Sequence, residues 1–206
     1  MMSKYRNSGQ TCVCANRLFV QAGVYEEFTK KLAEQVRAIK IGNGLEAGIT
    51  QGPLISQAAA DNAEALVADA KSKGATVLCG GQRVEASSNF FEPTILTDVN
   101  NDMRVADEEI FGPIAPIFKF ETDEEGIALA NHTEYGLAGY FYSRDIGRVW
   151  RIAEALEVGM VGVNTGMLTT ELAPFGGIKE SGLGREGSKY GIEEYVETKY
   201  ICLDIN

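Results

Sequence analysis

The sequence predicts an α/β fold in which a largely parallel, twisted sheet is covered by helices on both faces. Several stretches show the three- and four-residue apolar spacing of amphipathic helices, and short, nearly continuous apolar runs lie between them. Strands buried on both faces have such continuous runs, whereas a strand with one solvated face alternates. The chain of 206 residues shows no internal repeat or low-complexity linker. We therefore expect one domain over residues 1–194 and a separate terminal strand over residues 195–206.

The helices are predicted from their apolar spacing and from the residues at their ends. Residues 24–39 place apolar side chains on one face and two Glu–Lys pairs, four residues apart, on the other. A second helix runs from Ser56, a good N-cap, to Gly74, a good residue just past a helix end. Residues 122–125 have the spacing of a capping box and should open a third helix. Residues 145–156 form a fourth, predicted to bury Ile146, Val149, Trp150, Ala153 and Leu156.

The strands are predicted from the apolar runs between these helices. They are residues 18–20, 75–79, 114–120, 137–142 and 160–163. Residues 195–205 alternate less cleanly and follow a polar, glycine-rich stretch. A strand there would leave an unpaired edge, which a second subunit could cover.

The composition favours small-molecule chemistry. The chain is 45% hydrophobic and 23% charged, which is typical of a folded domain with a sizeable core. Its net charge of -10 and isoelectric point near 4.7 are unsuited to nucleic acid or to an anionic lipid surface. No apolar run approaches the roughly 20 residues of a spanning helix, and residues 1–6 lack the apolar core of a signal peptide. We expect no nucleic-acid or membrane partner and a cytoplasmic location.

The thiols and the imidazole limit the catalytic possibilities. The cysteines are too few for a disulfide scaffold and lack the paired spacing of a zinc site: Cys12, Cys14, Cys79 and Cys202. We therefore expect reduced thiols and no metal. His132 is the only histidine, so catalysis by a Cys–His pair has a single candidate base. It lies in a polar loop after a helix, where a solvated side chain is the expected role.

Residues 6–14 (RNSGQTCVC) place a thiol in a polar, glycine-containing turn just before an apolar run. Gly9 would let backbone N–H groups approach Cys12 and stabilise its thiolate, which is the reactive form. Cys12 is therefore a candidate nucleophile, although a free cysteine is often a small buried hydrophobe. Cys14 points elsewhere if the segment is extended, so it could be a core residue or a partner that oxidises with Cys12.

Two further segments invite a cofactor interpretation. Residues 182–187 (GLGREG) have the form of a dinucleotide fingerprint, but a glycine-rich stretch precedes them where a buried strand is required. A sharply turning loop is therefore predicted. Residues 108–113 (EEIFGP) join adjacent carboxylates to an aromatic residue. A carboxylate can accept hydrogen bonds from a sugar diol and an aromatic face can lie beside a planar ring, but these residues alone favour a solvated acidic loop.

Three motifs occur together and in order: NxGQxC at residues 7–12, ExFGP at residues 109–113, and PFGG at residues 174–177 followed by SGxGRE. In this combination the chain resembles the C-terminal half of the aldehyde dehydrogenase superfamily. The fuller strings at residues 5–17 and 182–191 resemble succinate-semialdehyde dehydrogenases in particular. The resemblance extends over essentially all 206 residues.

The resemblance implies a chemistry for the thiol. Cys12 attacks an aldehyde, hydride leaves for NAD or NADP, and water hydrolyses the resulting thioester. The backbone N–H of Cys12 meets the developing oxyanion. By the same resemblance, Glu109 holds the hydroxyls of the nicotinamide ribose, Phe111 packs near the nicotinamide, and Glu186 belongs to a proton relay.

The resemblance also implies residues for the substrate and for regulation. Arg6 would pair with the distal carboxylate of a semialdehyde acid. Phe175 would line the substrate tunnel, and Thr169 or its neighbour Thr170 would offer a hydroxyl where the family often has serine. Cys14 would be a redox partner that closes a disulfide with the nucleophile.

Other parts of the family's machinery have no match in these residues. The dinucleotide domain, the general-base glutamate, an oxyanion asparagine and a second carboxylate-binding arginine belong to the N-terminal half of the family's chains. We therefore expect a fragment that is inactive alone, with NAD or NADP bound mainly by that other domain. Residues 195–206 resemble the family's oligomerisation strand, so a homo-oligomer is expected.

Three alternative functions stay open. The first is a dehydrogenase for glutarate semialdehyde or an uncharged aldehyde. The second is a hydrolase that uses Cys12 without a cofactor. The third is a non-catalytic oligomerisation module held together by residues 195–205.

Overall fold

The computed structural model describes residues 1–205 as an α/β fold. Its helices are α1 Met2–Tyr5, α2 Tyr25–Arg37, α3 Gln57–Ser72, α4 Arg104–Asp107, α5 Asp123–Asn131 and α6 Ile146–Ala155. Its strands are β1 Leu18–Gln21, β2 Thr76–Cys79, β3 Thr94–Thr97, β4 Ile114–Phe120, β5 Tyr135–Gly136, β6 Ala138–Phe141, β7 Met160–Val163 and β8 Ile178–Lys179. Short 3₁₀ turns cover Arg6–Gly9, Ala22–Val24 and Gly191–Tyr195.

The main sheet has four strands in the order β1-β4-β3-β2. The β1/β4 and β3/β4 pairs are parallel, and β2 is antiparallel to β3 at the edge. A separate parallel pair joins β6 to β7, and a short antiparallel pair joins β5 to β8. The prediction of a largely parallel α/β sheet is therefore confirmed.

Helices cover both faces of the main sheet. Successive side chains of a strand point to opposite faces, so the apolar strands present apolar side chains on both. On one side, Leu96 and Ile114 pack with Leu66 of α3 in a cluster that includes Phe91. On the other side, Ile95 and Ile117 pack with residues of α2 such as Leu32 and Val36. All of these side chains are buried. The two cores give the rigid platform from which the loops at the strand ends project.

The helix ends follow the capping residues of the sequence. The side chains of Ser56, Thr122 and Asp145 each accept a hydrogen bond from a backbone N–H of the first turn that follows, at 3.2, 3.3 and 2.8 Å. The predicted capping box is half formed, because Glu125 accepts from the N–H of Glu121 rather than from that of Thr122. The predicted helices thus form where the sequence placed them.

The apolar stripe of α6 differs from the prediction. Ile146 is 71% exposed and Trp150 is 63% exposed, so the helix does not bury the full stripe. The helix packs against α5 and β7, and the two-stranded β6/β7 sheet is too narrow to cover its whole apolar side. Val149, Ala153 and Leu156 are half-buried. Within residues 1–205, Ile146 and Trp150 therefore form an exposed apolar face.

The C-terminal segment projects from the fold. Residues 196–205 form no strand in the described part of the chain, and Tyr200, Ile201 and Leu203 are each at least 76% exposed. Pairing of residues 195–206 with a second subunit stays a prediction, and residue 206 lies outside the described residues. Among the helices of residues 1–205, none has the length and apolarity needed to cross a bilayer.

Candidate active site

The backbone just before Cys12 has an unusual conformation. Asn7, Ser8 and Gly9 have successive φ angles of 52°, 57° and 75°, all in the left-handed region that non-glycine residues rarely adopt. After them a tight turn closes with a 2.8 Å hydrogen bond from the N–H of Cys14 to the carbonyl of Thr11. Cys12 lies in this turn and is exposed. We call residues 6–14 the thiol turn.

Hydrogen bonds to distant segments fix the thiol turn. The Ser8 hydroxyl donates to the carbonyl of Gly52 at 3.0 Å, and the N–H of Ile55 donates to the Gln10 side chain at 2.8 Å. The Tyr140 hydroxyl donates to the carbonyl of Val13, next to Cys12, at 2.8 Å. Burial raises the pKa of Tyr140 to about 12, so its hydroxyl stays a donor at physiological pH. The thiol is therefore held in place without a regular helix or strand.

The thiol turn also packs against the loop that carries Glu109. A Cβ atom on Gly9 would lie 2.1 Å from the carbonyl oxygen of Gly112, so only glycine fits there. This loop, residues 108–113, runs between the end of α4 and the start of β4. The close contact of the two backbones brings sequence motifs about 100 residues apart to the same place.

The two adjacent carboxylates have different environments. Glu108 accepts two hydrogen bonds from the Arg104 guanidinium, at 2.6 and 2.7 Å, which lowers its pKa. Glu109 is exposed, and within residues 1–205 its carboxylate has no hydrogen bond or ion pair. Phe111 is 44% exposed, with a φ of 42°. The structure therefore leaves Glu109 and Phe111 available to a ligand and commits Glu108 to α4.

A cavity of about 340 Å³ joins these groups. It is lined by Cys12 and Cys14 from the thiol turn, by Glu109 and Phe111 from the loop, and by Tyr140 from β6. A carboxylate with free lone pairs next to an exposed aromatic ring fits a sugar diol attached to a planar ring. The residues present thus fit the nicotinamide ribose that the family resemblance implies at this place.

Lys4 is a member of this cavity that sequence reasoning missed. It is only 3% exposed and lines the same space as Cys14 and Glu109. Burial lowers its pKa from 10.5 to about 8, and the charges of Cys14 and Glu109 oppose that shift. The only signal in the sequence was the position of Lys4 a few residues before the thiol turn. The alternation of polar and apolar residues in so short a helix was too brief to indicate burial.

The other predicted residues lie outside the lining of this cavity. Arg6 is half-buried, its carbonyl faces the Cys14 thiol at 3.8 Å, and its charge opposes the rise in the pKa of Tyr140. Thr169 is exposed in the segment after β7. Phe175 and Glu186 exchange two backbone hydrogen bonds, of 2.8 and 2.7 Å. The structure therefore joins Phe175 to Glu186 but does not bring either into the Cys12 cavity.

The remaining candidate motifs have structural roles in the described chain. Residues 182–187 turn through three glycines with positive φ, and they neither follow a buried strand nor begin an α-helix, as a dinucleotide fingerprint would. His132 caps the end of α5, is exposed and does not line the Cys12 cavity. Cys12 and Cys14 are both free thiols. In residues 1–205 no cluster of three or more ligand-type side chains could hold a metal ion.

Comparison with known proteins identifies relatives along nearly the whole chain. The model of the "Aldehyde dehydrogenase family" matches residues 1–201. A glutarate-semialdehyde dehydrogenase of Pseudomonas putida is 61% identical over 205 residues, which are 100% of this chain and 42% of that protein. A 3-sulfolactaldehyde dehydrogenase of the same species is 59% identical over 203 residues, 98% of this chain and 42% of the relative.

An NADP⁺ succinate-semialdehyde dehydrogenase of Escherichia coli is 58% identical over 205 residues, 100% of this chain and 42% of the relative. The crystal structure of succinate-semialdehyde dehydrogenase from Burkholderia pseudomallei superposes with a TM-score of 0.96 at 60% identity. That match covers 98% of this chain and 42% of the solved chain. The chain thus spans about two fifths of the length of the relatives it matches.

Replacement of Gly9 by alanine is expected to separate the thiol turn from the Glu109 loop. The new methyl group would meet the Gly112 carbonyl and the backbone would be held at an unfavourable φ, for a total loss of about 2–4 kcal/mol in the free energy of unfolding. Gly48→Ala is the matched control, because Gly48 also has a positive φ but has no atom within 4 Å of the added methyl. Urea unfolding measures both, and equal losses would contradict a specific contact at Gly9.

The buried Lys4 predicts a pH-dependent stability. Between pH 8 and 10.5 the unfolded chain holds a proton that the folded chain has released, so this group's contribution to the free energy of unfolding rises with pH. Lys4→Met should be more stable than the wild type near pH 7, and the difference should shrink by on the order of 3 kcal/mol by pH 10. Urea unfolding at several pH values measures it. Lys71→Met, on the exposed surface of α3, is the control for charge removal, and an equal pH dependence in wild type and Lys4→Met would contradict the assignment.

Proposed function

The chain belongs to the aldehyde dehydrogenase family, and we propose that residues 1–194 form the thiol-bearing domain of an NAD(P)-dependent succinate-semialdehyde dehydrogenase. The observation that carries this proposal is the cavity in which Cys12 lies with Glu109 and Phe111. The closely similar relatives named for succinate and glutarate semialdehyde support the same substrate class.

The arrangement of the thiol turn supports a covalent mechanism. The Cys12 thiolate adds to the aldehyde carbon, and the carbonyl oxygen becomes an oxyanion in a thiohemiacetal. Within the described residues, the backbone N–H of Cys12 makes no hydrogen bond, so it is free to donate to that oxyanion. The carbonyl of Thr11, in the same peptide unit as this N–H, accepts a 2.8 Å hydrogen bond from the N–H of Cys14, which fixes the direction of the Cys12 N–H. Once the thiohemiacetal has lost a hydride to the cofactor, water would hydrolyse the resulting thioester and release the carboxylic acid and the Cys12 thiol.

The cofactor would be held by the loop opposite the thiol. Glu109 would accept hydrogen bonds from the ribose hydroxyls, and Phe111 would pack beside the nicotinamide ring. When bound, the nicotinamide would accept the hydride that the thiohemiacetal loses as it becomes the thioester. We propose that the rest of the cofactor contacts come from a separate dinucleotide domain. This agrees with a chain that spans about two fifths of its relatives, and it leads us to expect no turnover from the 206 residues alone.

The substrate would be oriented by groups outside the cavity lining. Arg6 is the proposed partner of the distal carboxylate, and within residues 1–205 its guanidinium has no hydrogen bond or ion pair that would compete. Thr169 would add a hydroxyl to the same carboxylate. Phe175 would line the tunnel and Glu186 would relay a proton, and their mutual backbone pairing would keep the two together.

The remaining proposals concern regulation and assembly. Cys14, two residues from the nucleophile, would close a reversible disulfide with Cys12 under oxidation. The exposed segment of residues 195–205 would pair with a second subunit in a homo-oligomer. A dehydrogenase for glutarate semialdehyde is the second candidate function, favoured by the 61% identity to an enzyme of that name.

Replacement of Cys12 by alanine tests the nucleophile. In a subunit of full family length that carries these residues, Cys12→Ala should lower turnover of succinate semialdehyde at least roughly 10⁴-fold, while the dissociation constant of NAD(P)⁺ changes little. Cys79→Ala, at a free cysteine of β2 outside the cavity, is the control and should keep full activity. Substantial aldehyde oxidation by Cys12→Ala would exclude Cys12 as the nucleophile.

Replacement of Arg6 by alanine tests the substrate class. Loss of a charge-assisted hydrogen bond costs about 1.5–3 kcal/mol, so kcat/KM for succinate semialdehyde should fall about 10–150-fold. For butanal, which has the same chain length without the carboxylate, the value should change by less than about threefold. Arg144→Ala, an exposed arginine before α6, is the control. An equal loss for both aldehydes would contradict a contact between Arg6 and the carboxylate.

A further inference from the structure

The carboxylate of Glu109 lies on a loop that no helix or strand positions. The helix α4 ends at Asp107 and β4 begins at Ile114. Glu109 is exposed, and among residues 1–205 its side chain makes no hydrogen bond or ion pair. A group that must meet two ribose hydroxyls needs a fixed position, because a misplacement of about 1 Å is enough to weaken such a site. Other residues must therefore hold the backbone of this loop.

The side-chain amide of Asn16 holds the backbone of this loop on both sides of Glu109. The Asn16 Nδ2 group donates to the carbonyl of Glu108 at 2.9 Å, and its Oδ1 atom accepts from the N–H of Ile110 at 2.8 Å. A carbonyl and an N–H two residues apart point to the same side of an extended chain, and Glu108 has the extended angles φ -81° and ψ 142°. The Asn16 amide thus makes the two hydrogen bonds that a residue of a neighbouring parallel strand would make to Glu108 and Ile110.

The same asparagine is part of the segment that carries the nucleophile. Asn16 follows Cys12 by four residues and directly precedes Arg17, which donates to carbonyls at the end of α5. Both Asn16 and Glu109 line the cavity that contains Cys12. The two hydrogen bonds of the Asn16 amide therefore connect the loop that carries Glu109 to the segment that carries Cys12.

We propose that Asn16 is a positioning residue that sets the place of the Glu109 carboxylate relative to Cys12, and through it the binding of the nicotinamide ribose. The inference rests on the proposed function, in which Glu109 holds the ribose hydroxyls. Asn16 acts on the cofactor only through Glu109 and makes no contact with the aldehyde. Its loss should therefore affect cofactor binding and leave the capture of the thiol by an alkylating reagent unchanged.

The experiment compares Asn16→Ala, Asn16→Asp and wild type in a subunit of full family length. Loss of both hydrogen bonds in Asn16→Ala should raise the dissociation constant of NAD(P)⁺ roughly tenfold, with the rate of Cys12 alkylation by iodoacetamide within twofold of wild type. Asn16→Asp keeps the acceptor for Ile110 and nearly the same volume, but it places an acceptor oxygen against the carbonyl of Glu108, so it should also raise the dissociation constant. It carries the test if Asn16→Ala does not fold.

A double-mutant cycle separates positioning from general stabilisation. In a Glu109→Ala background, Asn16→Ala should change the dissociation constant by less than twofold, because the group it positions is already gone. Asn131→Ala is the matched control: its amide holds the carbonyl of Ala155 and the N–H of Glu157, at 2.8 and 2.9 Å, in the same two-bond pattern. This control should lower thermal stability as much as Asn16→Ala and leave cofactor binding unchanged.

The outcomes distinguish the inference from the proposed function. A wild-type subunit that binds NAD(P)⁺ and oxidises an aldehyde, combined with normal cofactor binding in both Asn16 variants, would overturn the positioning role alone. The positioning role alone would also be overturned if Asn16→Ala still raised the dissociation constant of NAD(P)⁺ roughly tenfold in the Glu109→Ala background. A wild-type subunit that neither binds NAD(P)⁺ nor oxidises any aldehyde would overturn both.

Discussion

The approach of Gly9 to the carbonyl of Gly112 is the contact on which the candidate site depends. The two backbones lie so close that no Cβ fits between them, and three successive left-handed residues bring the chain to this point. Such conformations persist only where surrounding contacts determine them, and here Ser8 and Gln10 supply those contacts. Without this contact the thiol and the acidic loop would be two unrelated surface features.

The site is thus built from loops on a rigid platform. The buried strands β3 and β4, with α2 and α3 on opposite faces, fix the loop ends, and side chains such as Asn16 and Tyr140 fix what lies between them. Most of the positioning bonds are from a side chain to a backbone group, so they hold the chain path and leave Cys12 and Glu109 free to react or bind. This division of tasks is common where catalytic residues lie outside regular structure.

Apolar spacing and capping residues were sufficient to predict the helices α2, α3, α5 and α6 and most of the parallel strands. They did not indicate β3, because only two of its four residues, Ile95 and Leu96, are apolar and the strand directly follows a proline. They also predicted wrongly that the whole apolar stripe of α6 is buried. Apolar spacing shows which face of a helix is suited to burial, but it does not show whether another part of the chain covers that face. In the site, motif order indicated Cys12, Glu109 and Phe111, which share a cavity. Lys4 and Asn16 were missed because burial and long-range hydrogen bonds depend on the folded chain.

The exposed face of α6 has a spectroscopic consequence. Trp150 is the only tryptophan of the chain and is 63% exposed, far from a fully buried environment. Its indole fluorescence therefore reports the polarity at the α6 surface rather than the integrity of the two buried cores. Unfolding would change this emission little, whereas any surface that covers α6 would shift it toward shorter wavelength. The single tryptophan is thus placed where association can be observed independently of folding.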